Sequence, residues 1–405
     1  MINVDGDMMA SVTLVYLVTI YLVCLMFVIK SKNFLNPVHV FLLSMVPPYV
    51  VFYFVGDTEL HRKSYLLYII TVTSFIIGYF YAVAILKLLC SSSIKKAIKK
   101  ANPGVQYQFK KIKPLLNIFL FIGLIGFVLA AIKAYKFSQL GPGGPLFNLR
   151  YANTVLRVDI GIPKYMLLFL HISVLLMILY RKHNYKTILF LALIWAVSSM
   201  FTMARTELLL ALTSVSAAYY LSSRFIYRDS SLSLKPFIIT GVVFSLGFIG
   251  IAFATHKIRS SLLSTFLDYY IGPIVAFDRY VLGFNSYTLG WNIFYPFTKL
   301  LSILGYQFIS GPYVPPGQVN VFTMMAGPYL DYGDIGLVIV PFFLGLVYAI
   351  IYRGVVKGDI YFITFYSLFV FPLIISFFAY EYALASWLYY IAILFVVKIW
   401  ELLQR

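Results

Sequence analysis

The chain has 405 residues, of which 61% are apolar and 19% aromatic, while only 11% carry charge. Its 32 Lys and Arg outnumber 14 Asp and Glu, giving a formal net charge of +18. A soluble domain of this length with so little charge would present a surface too apolar to stay in solution, so that class is excluded.

Apolar stretches of about twenty residues recur from end to end, the length needed to cross a hydrocarbon core. The expected fold is all-α, a polytopic integral membrane protein of about 11 transmembrane helices. The first stretch, 8–29, has no basic residue before it and no small-residue cleavage site after it. It therefore reads as a retained helix and not as a signal peptide. Further spans are expected at 35–55, 65–86, 114–135, 164–180, 187–203, 206–222, 236–255, 335–352, 360–379 and 383–400. The two cysteines, Cys24 and Cys90, lie in or near apolar spans, and the histidines His39, His61, His171, His183 and His256 show no metal-ligand spacing. No disulfide framework, metal site or cofactor is expected. His39 and His171 fall within spans and are expected to be buried and hydrogen-bonded.

Charge fixes the orientation. The loop after the third span, KLLCSSSIKKAIKKANPGVQYQFKKIK, holds eight lysines and no acid. Basic loops stay in the cytoplasm, which puts the N-terminus outside and the C-terminus inside. With that orientation 20 of the 32 basic residues are cytoplasmic, whereas 11 of the 14 acids are external. The inside is then net +17 (20 less Asp229, Asp359 and Glu401) and the outside about neutral. The positive charge is thus a topogenic signal that also meets anionic lipid heads, and it implies no nucleic-acid partner.

Two long external loops remain, 136–163 and 256–334, within one polytopic domain, 1–405. The first contains Gly141-Pro142-Gly143-Gly144-Pro145, which forces a turn. The second is too long to be a bare connection. Its opening, HKIRSSLLSTFLDYYIGPIVAFDRYVLGF, has apolar residues at helical spacing and predicts one or two short interfacial helices. Each loop carries an Arg-Tyr pair with a glycine eleven positions after the arginine: Arg150-Tyr151 to Gly161, and Arg279-Tyr280 to Gly290. The spacing alone is weak, but its placement once in each long external loop is more specific. Arg157, Arg205 and Arg259 lie on the same side. One arginine at a helix end commonly snorkels; five on the face that holds the carboxylates suggest a site.

Guanidinium forks match phosphate oxygens and stay charged at any relevant pH, which suits a diphosphate. Tyr151, Tyr269, Tyr270, Tyr280, Tyr287, Tyr313, Tyr329 and Tyr332 offer flat faces and hydroxyls to sugar rings, although tyrosine also belts membrane interfaces. Asp268, Asp278, Asp331, Asp334 and Glu381 are candidates to deprotonate an attacking hydroxyl or to pair with the arginines.

The paired Arg-x10-Gly motif, the span layout and the segment NVFTMMAGPYLDYGDIGLVIVPFFLGLVYAIIY (320–352) together resemble the O-antigen polymerases, the oligosaccharide repeat unit polymerases. The likeness covers most of the chain by topology and about 60 residues by motif. It implies a metal-independent inverting glycosyltransferase of the C type, in the bacterial inner membrane with its site facing the periplasm. The implied substrates are undecaprenyl-diphosphate-linked oligosaccharides, with membrane lipids and a chain-length regulator protein as partners. Catalysis would fall to Arg279, Arg150 and Arg205, with Asp278, Glu381 or His256 accepting the proton. Binding would fall to Arg157, Arg259, Tyr151, Tyr280, Asn320, Tyr329, Asp331 and Tyr332, with the motif glycines Gly161 and Gly290.

Two alternatives stand beside this. An O-antigen ligase shares the architecture but resembles its relatives in a histidine near the end of a long external loop, whereas His256 begins this loop and none follows it. A flippase for the lipid-linked unit would be expected to show repeated halves and ionisable groups near the midplane.

Overall fold

The computed structural model describes residues 4–31, 33–56, 58–89, 105–180, 185–202, 205–228, 238, 241–242, 261–284, 287–305 and 321–404. Among these residues the secondary structure is helical, with no strand. In chain order the helices are α1 (Val4–Ser31), α2 (Pro37–Val55), α3 (Arg62–Leu89), α4 (Val105–Ser138), α5 (Pro145–Thr154), α6 (Ile162–Tyr180) and α7 (Tyr185–Ser199). There follow α8 (Arg205–Leu221), α9 (Leu262–Tyr270), α10 (Gly272–Ala276), α11 (Tyr295–Ile303), α12 (Ala326–Val356), α13 (Ile360–Ile374) and α14 (Ala385–Leu403).

Seven helices are long and apolar enough to cross a membrane, and they coincide with the expected spans that begin at 8, 35, 65, 114, 164, 335 and 383. This is a helical membrane protein. Three other expected spans are shorter as helices: α7 and α13 have 15 residues each, and α8 has 17. Each stops for a local reason. α7 tightens into a 3₁₀ turn at Met200–Thr202, α8 widens into a π turn at Ser222–Ile226, and α13 carries Pro372 in its last turn. The span expected at 236–255 lies outside the described residues, apart from positions 238, 241 and 242.

The chain divides into two compact units. The first comprises Met1–Ile94, Leu263–Arg353 and Pro372–Ala385. Within it α3 and α12 touch backbone to backbone. A Cβ on Gly78 would lie 2.0 Å from the Phe342 carbonyl oxygen, and one on Gly345 would lie 2.2 Å from that of Phe75. Small residues give membrane helices this close approach, where dispersion supplies attraction that the hydrophobic effect cannot. Phe75 fills the seam, stacked on Phe41 at 4.1 Å. Pro47 and Pro48 remove two donors from the middle of α2, and in that stretch the Tyr68 hydroxyl donates to the Met45 carbonyl at 2.6 Å.

The second unit comprises Lys95–Leu262, Gly354–Phe371 and Ser386–Arg405. Gly123 and Gly126 bring α4 against α6, where added Cβ atoms would meet Leu170 and Met166 at 2.6 and 2.5 Å. His171 is buried there, stacked on Trp195 at 4.2 Å, with its Nδ1 2.7 Å from the Tyr390 hydroxyl, as expected for an in-span histidine. His39, in the first unit, is buried too, but among the described residues its Nδ1 has no hydrogen-bond partner. Buried Glu401 is paired, accepting from the Tyr361 hydroxyl at 2.6 Å and from Lys398 Nζ at 3.1 Å.

Candidate functional site

The second Arg-x10-Gly motif belongs to the first unit. Its arginine sits on a π turn, Phe277–Val281, that continues α10. Single π turns recur at functional sites because they re-aim side chains. Here neighbouring residues point opposite ways: Asp278 is buried, at 4% exposed, while Arg279 is exposed.

The connection from α2 into the first turn of α3, residues 58–64, closes around this turn. Asp278 accepts from the His61 backbone N–H at 2.9 Å, from His61 Nδ1 at 2.9 Å, and from the Ser64 hydroxyl. The His61 side chain is 74% exposed, so a buried carboxylate holds one edge of a solvent-facing imidazole. Arg279 Nη2 donates to the Thr58 hydroxyl at 3.3 Å. Lys63 pairs with Asp334 at 2.8 Å and lies 5.6 Å over the ring of Tyr329. Tyr329 in turn donates to the Leu282 carbonyl at 2.6 Å and meets Phe277 edge-on. Histidine and three cations, Arg62, Lys63 and Arg279, thus share one end of the unit.

The foot of the motif is held by Asp331, which is fully buried. It accepts from the backbone N–H of Asn292 at 3.1 Å and of Ile293 at 2.7 Å, from Asn292 Nδ2 at 2.9 Å, and from the Thr288 hydroxyl. These four donors fold residues 288–293 into a tight turn. Gly290 occupies that turn at φ 96°, where a side chain would be strained and would meet the Tyr332 hydroxyl at 2.9 Å. Gly333 breaks α12 at φ 61° and ψ −144°, with the Tyr287 hydroxyl 2.7 Å from where its Cβ would be. Glu381 lies on the 3₁₀ turn Glu381–Ala383; its neighbour Tyr380 packs on Gly327, and Tyr382 bonds to Ser376 at 2.7 Å. Desolvation pushes the phenols of Tyr380 and Tyr382 above their ordinary range, so neither is a base at neutral pH.

The first motif belongs to the second unit. The forced turn at 141–145 starts a helix that the sequence does not announce: Gly144 precedes Pro145, which is pre-set for the first helical turn of α5. Asn148 ties the turn down, accepting from the Gly143 N–H at 2.9 Å and donating to the Ser138 carbonyl at 3.0 Å. Leu149 of α5 joins Ala134 and Leu208 in one buried cluster, which sets Arg150 and its helix beside the start of α8. Arg205 opens α8, although its side chain is outside the described set. Tyr151 stacks on Phe147 at 6.4 Å. Arg157 is exposed at φ 52°, an uncommon conformation for a residue with a side chain. The motif ends at Gly161, φ 71°, beside the bond from Lys133 Nζ to the Ile160 carbonyl at 2.7 Å.

The structure therefore gathers Asp278, Arg279, Tyr280, Gly290, Tyr329, Asp331 and Tyr332 in one unit, which also carries Glu381, and Arg150, Tyr151, Arg157, Gly161 and Arg205 in the other. His256, Arg259 and Asn320 lie outside the described residues. Among the described residues, no three His, Cys, Asp or Glu are grouped to hold a metal. No family model, curated protein or solved structure matches the chain.

Sequence reasoning missed His61, Ser64, Thr58 and Asn292. The string His61-Arg62-Lys63-Ser64 was the available signal, but nothing in it points to Asp278, 217 positions away.

Proposed function

We propose that the chain polymerises undecaprenyl-diphosphate-linked oligosaccharide repeat units at the outer face of the bacterial inner membrane, by inverting en bloc glycosyl transfer. The observation that carries this reading is the recurrence of one local form. Each Arg-x10-Gly motif starts with an arginine on a short helix and ends at a positive-φ glycine, one motif in each unit. Two built arginine elements suit a reaction that holds two lipid diphosphates at once. The hydrogen bonds from 58–64 to 278–279 require those two segments to share a side, as the charge-derived orientation has them.

The growing chain moves from its carrier to a sugar hydroxyl of the next lipid-linked unit, and undecaprenyl diphosphate departs. Negative charge builds on that leaving group, so a fixed guanidinium beside it stabilises the transition state more than the ground state. A diphosphate leaves readily and needs no acid to protonate it.

A host strain lacking this chain tests the reading through its glycan profile. The expected result is lipid A core capped by a single repeat, with the full ladder restored by the wild-type gene. Polymer retained on its lipid carrier would instead identify a ligase, and single units trapped on the cytoplasmic leaflet a flippase.

A further inference from the structure

We propose that His61 is the group that takes the proton from the attacking sugar hydroxyl, and that Asp278 is the positioning residue that holds its ring. The inference rests on the glycosyl-transfer reading above and names the base that the sequence alone left among Asp278, Glu381 and His256.

Asp278 is poorly placed to touch a substrate. It is 4% exposed, and its two oxygens already accept from the His61 N–H, the His61 ring and Ser64. A carboxylate only accepts, so the ring nitrogen 2.9 Å from it, Nδ1, carries the proton. In the neutral ring this tautomer leaves the lone pair on the second nitrogen, Nε2, of a side chain that is 74% exposed. A buried acid that fixes the tautomer of an accessible imidazole is the arrangement by which histidine serves as a general base. A purely structural tether would not need the ring, because the His61 backbone N–H and the Ser64 hydroxyl already bind this carboxylate. Arg279 reaches the same connection through Thr58, so the base and a cation for the leaving group are tied to one short segment.

The step balances. The acceptor oxygen bonds to the anomeric carbon of the donor sugar, and the bond from that carbon to the diphosphate oxygen breaks with its electron pair on the diphosphate. The hydroxyl proton passes to His61 Nε2 and from there to water.

The test uses the full chain in proteoliposomes, supplied with lipid-linked repeat unit extracted from the host strain that lacks the chain. His61→Ala should melt with the wild type, since the ring is exposed, yet turn over about 10²-fold more slowly at a similar KM. Added imidazole should recover part of that rate, which a structural role would not permit. Asp278→Asn, read alongside, should lower kcat through a misoriented ring and gain nothing from imidazole. Wild-type turnover by His61→Ala overturns the proposal, as does a loss that imidazole leaves untouched. Failure of the wild-type chain to form polymer would instead refute the glycosyl-transfer reading itself, and this assignment with it.

Discussion

Asp331→Ala is expected to destabilise the first unit by about 2–6 kcal/mol, the cost of leaving two backbone donors unsatisfied at about 1–3 kcal/mol each. The carboxylate is fully buried and gathers four donors from Thr288, Asn292 and Ile293. Alanine leaves the backbone N–H groups of Asn292 and Ile293 without this acceptor, whereas the Thr288 hydroxyl keeps the Leu330 carbonyl and the Asn292 amide keeps the Thr288 oxygen. Asparagine is the informative partner variant. It keeps one oxygen but turns an NH₂ group toward the Ile293 N–H, which now sits 2.7 Å from Oδ2. Its loss should be smaller, about 1–3 kcal/mol for a single unsatisfied donor. Melting curves of the purified variants in detergent check this order, wild type above Asn above Ala. An Asp331→Asn protein that melts with the wild type but fails in transfer would return Asp331 to the substrate-binding role that the resemblance suggests.

Arg279→Ala should show the opposite pattern, with stability kept and activity lost. Its side chain is exposed and makes one 3.3 Å hydrogen bond to Thr58, so its removal should change stability by no more than about 0.5 kcal/mol. Removing a fixed donor aimed at a developing anion costs about 10²–10³ in kcat. Arg279→Lys retains charge but not the planar fork that binds two phosphate oxygens together, so it should fall between the two. Rates of transfer in proteoliposomes, at matched protein, decide the point. An Arg279→Ala chain that transfers at the wild-type rate would remove this residue from the leaving-group site. The same measurement on Arg150→Ala asks whether the first motif serves the second carrier lipid.

What could be read from the sequence follows from the range of the forces involved. The long spans were legible because twenty apolar residues in a row have few other outcomes in a cell. The glycine spacing was visible, but not that Gly161 and Gly290 both occupy conformations that favour glycine. The ends of α7, α8 and α13 were not, because a 3₁₀ turn, a π turn and a terminal proline stop a helix without changing its hydropathy. The helix α5 was hidden for a similar reason: the same Gly-Pro cluster that signals a turn also supplies a helix start at Pro145. The site was the least legible part. Asp278 and Asp331 were both visible as acids expected outside, but only the fold separates them, one holding a histidine ring and the other a turn. His61 lay in plain view without a pattern to single it out.

The most direct test is purified chain in proteoliposomes given only lipid-linked repeat unit, with glycan length and free undecaprenyl diphosphate followed together. The expected result is a ladder of polymer on the lipid carrier, with one undecaprenyl diphosphate released for each bond formed and no nucleotide required. Intact single units moved across the bilayer with no bond formed and no diphosphate released would contradict the account.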